Sequence, residues 1–555
     1  MKVTLNKKTV FSLLKKKLNE EELEEKTSLL GIPIEEINEN EIIVEVTPNR
    51  PDLLSEQGYT RALNMFLGYN VGLRKYNVYN SKEKVIIEDS LKGIRPYTAC
   101  AIVKDLDLDE EKINEIINLQ EKLHLTFGRN RKKVAIGVYP FEKIKTPIRF
   151  LALNKKEIKF IPLGENKSMT GEEILNKHDK GKEFSHLLNN FDKYPLFIDA
   201  NNNVLSMPPI INSQNVGEVT LKTKDVFIEC SGHDFNILNK CLNIIVTSLG
   251  EMGGKIYSME LKYKDKTLIT PNLKPEEIDI KIENVNKLLG IKLNENEIKL
   301  CLEKLGYDYN NKKVQIPCYR ADIMHEVDII EDIAIGYGYD KFTPELPNLA
   351  TVAEEDKFEI FKDKIRDILT GFSLMETYSY VIGNKDDQNN RMLLNNDLVL
   401  LKNSLNQEYD VLRLSILPNL LKILSKNKHN EYPQNIFEIG NIFKKGESET
   451  NVKENYNLAV MLCHSKADFT QIKQILSSLL SSLNLKYEIE ELENESFISG
   501  RCGSIKINNK EIAYIGEINP QVLSNFNLDI PALCFELNLN ELFNLLVKTE
   551  HLNIT

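Results

Sequence analysis

The chain has 555 residues, 42% of them hydrophobic and 28% charged, which is the ordinary make-up of a folded soluble protein and, at about 150 residues per domain, predicts about four domains. Its net charge of −11 argues against a protein that coats nucleic acid, because neutralising phosphates needs Lys and Arg; any RNA contact must use local basic patches or a partner's surface. With no apolar run near the ~18 residues that span a bilayer, a charged N-terminus unlike a signal peptide and eight cysteines without a Cys-x-x-Cys pair, a reduced cytoplasmic protein is expected.

In chain order, residues 8–31 read as two short helices, the second opened by an Asn19–Glu22 capping box and ended by Gly31 and Pro33. Glu41–Val46 is a strand candidate running into the turn Thr47–Asp52, and Ser55–Leu67 a helix. Val134–Tyr139 and Val226–Cys230 are strand-like. Leu205–Asn212 is kinked by Pro208 and Pro209, so it cannot be a central strand and suits a loop or pocket wall. Glu283–Gly290 and Asn294–Gly306 are helices closed by glycine, Lys313–Ile316 is a strand, and a longer helix begins near Ile323. This order is compatible with a winged-helix-like module. Phe358–Phe372 is a helix, and Ser504–Gly516 alternates about Asn508–Asn509 as a hairpin does. The sum is a multidomain α+β protein.

Two charged segments stand out. On the helix after Asp322, the residues Asp328, Glu331 and Asp332 share one face. Like charges four apart repel unless something positive lies between them, and an oxygen-only set is what Mg²⁺ prefers. A solvated acidic helix face fits the same spacing. The run Arg129-Asn130-Arg131-Lys132-Lys133 reads either as a phosphate contact or as a solvated turn.

Several stretches together resemble one family. They are Val44–Ser55, Gln120–His124 through Tyr139, Leu205–Asn212, Phe227–Asp234, Tyr319–Asp340, Leu412–Leu421, Phe437–Phe443 and Gly516–Pro520. The family is the phenylalanyl-tRNA synthetase beta subunit in its archaeal and eukaryotic layout. The resemblance implies four modules: an N-terminal α/β domain (1–84), an editing module that deacylates tRNA (85–266), a magnesium-binding winged-helix-like module (267–346) and a class II synthetase-like antiparallel domain lacking the catalytic motifs (347–555). It implies Mg²⁺ held by Asp322, Asp328, Glu331 and Asp332, and an editing pocket of Ser206, Asn212, Glu229 and Ser231, with His124 and His233 in reserve. Tyr139-Pro140 stands where the family pattern has an acidic residue.

The resemblance also implies a division of labour. In the class II fold an Arg two residues before a Glu grips ATP; here Ile436 precedes Glu438, and Phe535–Asn540 stands near the place of the missing third motif. Activation of phenylalanine with ATP then falls to an alpha subunit in an (αβ)2 heterotetramer that charges tRNA(Phe). Proofreading follows from a physical limit: an apolar pocket rejects an added hydroxyl only ~10²-fold, while translation needs about 10⁴–10⁵. A pocket that hydrogen-bonds the tyrosine hydroxyl of mischarged Tyr-tRNA(Phe) meets that need. A free-standing mischarged-tRNA hydrolase and a non-catalytic tRNA-binding scaffold are the alternatives.

Overall fold

The structure, a computed structural model, describes residues 1–404, 406 and 408–548. The chain forms two compact units, divided between Leu346 and Pro347.

The first unit opens with a three-stranded antiparallel sheet, Lys2–Asn6 and Ile34–Ile37 on either side of Glu41–Glu45. Asn19 and Glu22 close a reciprocal capping box on the helix Glu20–Leu29. Ser55 accepts from Gly58 N–H and starts the helix Glu56–Phe66.

A ten-stranded sheet follows. From one edge its path runs Ile211–Asn212, Val204–Met207, Lys193–Ile198, Ile148–Asn154, Val78–Ile87, Lys255–Lys262, Tyr97–Lys104, Val226–Gly232 and Val134–Pro140, with Thr267–Thr270 paired to Lys255–Lys262. Val226–Gly232 is buried along its whole length because both faces are covered. The proline-kinked segment forms the opposite edge, with Pro208 and Pro209 in the turn between two short strands, where no ladder donor is needed. The sheet includes Val78–Ile87 and Thr267–Thr270, so the expected cuts at 84/85 and 266/267 fall inside it.

Beyond it lies a small three-stranded sheet, Glu276–Asp279, Lys313–Ile316 and Asp308–Asn310, with helices Ile282–Leu289, Glu295–Lys304 and Glu326–Tyr337. Gly290 closes the first at φ 69°. The third helix starts three residues later than Ile323, because His325 caps it and Asp328 completes the box.

The second unit is a seven-stranded sheet, antiparallel except for Met375–Glu376 beside Gln434–Lys445. Side chains alternate across it. Phe437, Leu458, Val460 and Phe535 pack with helices Lys357–Gly371, Phe469–Ser482 and Leu539–Lys548. On the other face Ile436, Ile442, Met461 and Cys534 pack with helix Leu417–Lys426. The hairpin Phe497–Ile507/Lys510–Ile518 turns on Asn508 and Asn509, both left-handed (φ 51° and 62°). Among the described residues no helix is long and apolar enough to cross a membrane, and all eight cysteines are free and buried.

Candidate functional site

Along Val226–Gly232 the side chains of Phe227, Glu229 and Ser231 face one side of the large sheet. The neighbouring strand sets Tyr139 opposite Phe227 and Gly137 opposite Glu229. Tyr139 stacks on Phe227 with ring centres 5.8 Å apart. It then leans across Gly137, where a Cβ would lie 2.0 Å from the phenol oxygen. That leaves the Tyr139 hydroxyl 3.3 Å from both Glu229 Oε1 and Asn212 Oδ1. Ser206 and Asn212 face each other across the edge pair.

Ser206, Asn212 and Glu229 thus line one cavity of about 190 Å³, together with His124 and Arg131. Burial pushes the Glu229 carboxyl up to about 8, against the pull of Arg95, so it keeps its proton at neutral pH. Two buried polar atoms in this wall have no partner: Glu229 Oε2 and Ser206 Oγ.

Ser231, the fourth predicted residue, does not line the cavity; its hydroxyl receives Arg95 Nε at 3.1 Å. His124 is held as structure, because Ile136 N–H donates to its Nε2 (2.8 Å) and its Nδ1 lies 3.3 Å from Glu121. Burial lowers its pKa and keeps it neutral. His233 is not part of the wall. A larger acid-lined cleft, about 740 Å³, lies beside Glu56 and Glu115 and holds none of the predicted residues.

The basic run divides in two. Arg129, Asn130 and Arg131 are all left-handed (φ 48°, 52° and 63°), a strained path for residues with a side chain. It turns Arg131 inward to donate to Ile210 O (2.9 Å) and Glu121 (3.1 Å) and to lie 4.3 Å over the Phe184 ring. Arg129 and Lys132 stay exposed. Sequence reasoning left Arg131, Gly137 and Tyr139 out of the site, although the alternation along Val134–Pro140 places the last two on one face.

Three of the four carboxylates expected to share a magnesium ion have other partners. Arg320 takes Asp322 in a two-point pair (2.8 Å each) and Asp332 at 2.7 Å, and the Tyr307 hydroxyl donates to the same Asp332 oxygen. Asp322 therefore does not cap the helix. Asp328 accepts the Met324 and His325 N–H groups at 2.8 Å, and Glu331 is exposed. Among the described residues no group of three or more His, Cys, Asp or Glu is arranged to hold a metal ion. The donor set does not fit magnesium here, since a guanidinium already neutralises two of its members. Arg320 also helps Arg50 hold Asp52 below the usual carboxylate range despite burial, which joins the 47–55 turn to the same charge network.

In the second unit Arg413, 1% exposed, donates to Glu438 (2.6 Å), Ser379 (2.9 Å) and Asn441 O (2.7 Å). Gly440 makes room: a Cβ there would stand 2.1 Å from Arg413 Nη2. Glu536 is buried among donors from Ser415, Asn457, Tyr514 and Ile416 N–H. Ile436 lies in the apolar layer under helix Leu417–Lys426.

Family models match the chain in three places: the B3/4 domain over residues 106–244, the tRNA synthetase B5 domain over 278–339 and the phenylalanyl tRNA synthetase beta chain CLM domain over 343–539. The phenylalanine–tRNA ligase beta subunit of Pyrococcus horikoshii is 46% identical over 501 residues, 89% of this chain and 90% of that one. That of Methanococcus aeolicus is 38% identical over 554 residues, 97% and 99% of the two chains. The crystal structure of an N-terminal fragment of the phenylalanyl-tRNA synthetase beta-subunit from Pyrococcus horikoshii is 42% identical, with a TM-score of 0.59 over 61% of this chain and 99% of the fragment. With such similarity along most of its length, the chain belongs to the phenylalanine–tRNA ligase beta subunit family.

Proposed function

We propose that this chain is the beta half of a phenylalanine–tRNA ligase, assembled with an alpha subunit as (αβ)2, and that the cavity at Glu229 removes tyrosine from mischarged Tyr-tRNA(Phe). One observation carries the editing reading: the two unpartnered atoms in the wall, Glu229 Oε2 and Ser206 Oγ, are an acceptor and a donor. An acceptor and a donor are what one added hydroxyl requires. A tyrosyl side chain satisfies both. A phenylalanyl side chain leaves both orphaned at about 1–3 kcal/mol each, a discrimination of about 30- to 10⁴-fold.

Among the described residues of the wall His124 is not poised as a base for a nucleophile, since both its nitrogens have partners. The reaction is then hydrolysis by a positioned water, helped by the ribose hydroxyl of the tRNA terminus. Activation of phenylalanine with ATP falls to the alpha subunit. In support, Ile436 sits in an apolar layer and Arg413 is committed to Glu438, so neither of these positions offers a free guanidinium for a nucleotide phosphate.

The test is Tyr-tRNA(Phe) hydrolysis by the purified αβ complex. Glu229→Ala and Ser206→Ala are each expected to slow it by about 10- to 100-fold with little effect on charging. Hydrolysis at the wild-type rate in both variants rejects the editing site. Charging by the alpha subunit alone, without association, rejects the ligase reading.

A further inference from the structure

We propose that Tyr139 is a specificity-determining positioning residue of this pocket, whose hydroxyl, backed by Asn212, holds the Glu229 carboxyl by one oxygen and leaves the other without a partner in the cavity wall. The proposal rests on the reading that the cavity takes the tyrosyl group of mischarged tRNA.

The Tyr139 hydroxyl has one proton and two acceptors at equal distance, Glu229 Oε1 and Asn212 Oδ1, both at 3.3 Å. An amide oxygen only accepts. Both contacts are satisfied at once when Glu229 carries a proton on Oε1 and donates it to Tyr139, which donates onward to Asn212. Burial of Glu229 favours that protonated form. The chain of donors uses Oε1 and leaves Oε2 of the same carboxyl as the buried acceptor without a partner.

The ring cannot drift from this post. It is fully buried, stacked on Phe227 and seated over Gly137, a position that holds no side chain. Without the phenol, the acid proton of Glu229 is free to turn into the cavity, where a water can satisfy it. The pocket then no longer presents an unpaired acceptor to a phenylalanyl group, and its preference for tyrosine falls.

The experiment compares hydrolysis of Tyr-tRNA(Phe) and Phe-tRNA(Phe) by the whole αβ complex carrying Tyr139→Phe, which keeps the ring and its stacking. The expected result is a fall of about 5- to 10-fold in the ratio of the two kcat/KM values. A second readout separates positioning from mere packing. In this arrangement protonated Glu229 donates to Tyr139, so loss of the phenol weakens the protonated form and moves the pH midpoint of discrimination downward. Gly137→Ala, whose Cβ displaces the hydroxyl, is expected to reproduce both effects. An unchanged ratio and pH midpoint in Tyr139→Phe overturns the proposal. If Glu229→Ala also hydrolyses Tyr-tRNA(Phe) normally, the editing reading itself has failed; if Glu229→Ala is impaired and Tyr139→Phe is not, only the role of Tyr139 has.

Discussion

Arg320 stands between Asp322 and Asp332, pairing with the first through two nitrogens and with the second at 2.7 Å. All three side chains are at most 8% exposed. Removing the cation leaves two buried carboxylates uncompensated, which costs about 3–5 kcal/mol. Arg320→Met is therefore expected to destabilise the protein by that amount in urea unfolding, and a change below about 1 kcal/mol would show that the carboxylates have another counter-charge.

Glu229 makes stability depend on pH with a definite sign. Its folded pKa, about 8, lies above the ordinary 4.5, so between those values the folded state binds a proton that the unfolded state has released. Wild-type stability should then fall with rising pH across that window, by up to about 1.4 kcal/mol per pH unit from this group, and level off above it. Glu115, pushed up to about 9 mainly by burial, acts in the same direction. The contribution of Glu229 is the difference between wild type and Glu229→Gln, measured by urea unfolding at several pH values; parallel curves would count against a buried, protonated Glu229.

Gly440 is the space that Arg413 occupies. Gly440→Ala places a methyl group 2.1 Å from Arg413 Nη2 and should push the guanidinium off Glu438. Breaking a pair this buried costs about 3–5 kcal/mol. Limited proteolysis is expected to cut the 347–548 region faster in this variant, and Arg413→Ala should match it. Resistance equal to wild type would place the pair among dispensable contacts.

Asn509, left-handed at φ 62°, ends the two-residue turn of the last hairpin. Asn-Gly suits that turn better than Asn-Asn. Asn509→Gly should relieve left-handed strain and raise the stability slightly, by less than about 1 kcal/mol because glycine also adds entropy to the unfolded chain, with no effect on tRNA hydrolysis, as a small rise in melting temperature reports.

What the sequence made legible is mostly local. The capping box at Asn19 and Glu22, the strand Lys313–Ile316 and the Asn508–Asn509 hairpin are each written within a few residues, and each forms where expected. Ser206, Asn212 and Glu229 could be named because motifs of the family carry them. Tyr139 and Arg131 could not, because their partners lie 73 to 90 positions away in one case and 79 in the other, and only the closed sheet brings them together. The partners of the carboxylates were hidden for a related reason. A helical wheel shows which acids share a face, but it cannot show Arg320, which meets them from a turn ahead of the helix. His325 was likewise hidden as a cap, being no usual capping residue.

The apolar layer under helix Leu417–Lys426 bears on how this unit changes over evolutionary time. Ile436 is where the class II resemblance places an ATP-gripping arginine, yet its surroundings are the leucines of that helix and Met461. An arginine restored there by one mutation would meet hydrocarbon, at the cost of an uncompensated buried charge. An ATP site on this face would need the helix lifted, the layer repolarised and Arg413 released from Glu438 together, and each step alone weakens the fold. Packing makes a cation at position 436 a change of several residues at once: lineages that inherit this layer can vary its hydrocarbon far more readily than they can place a charge within it.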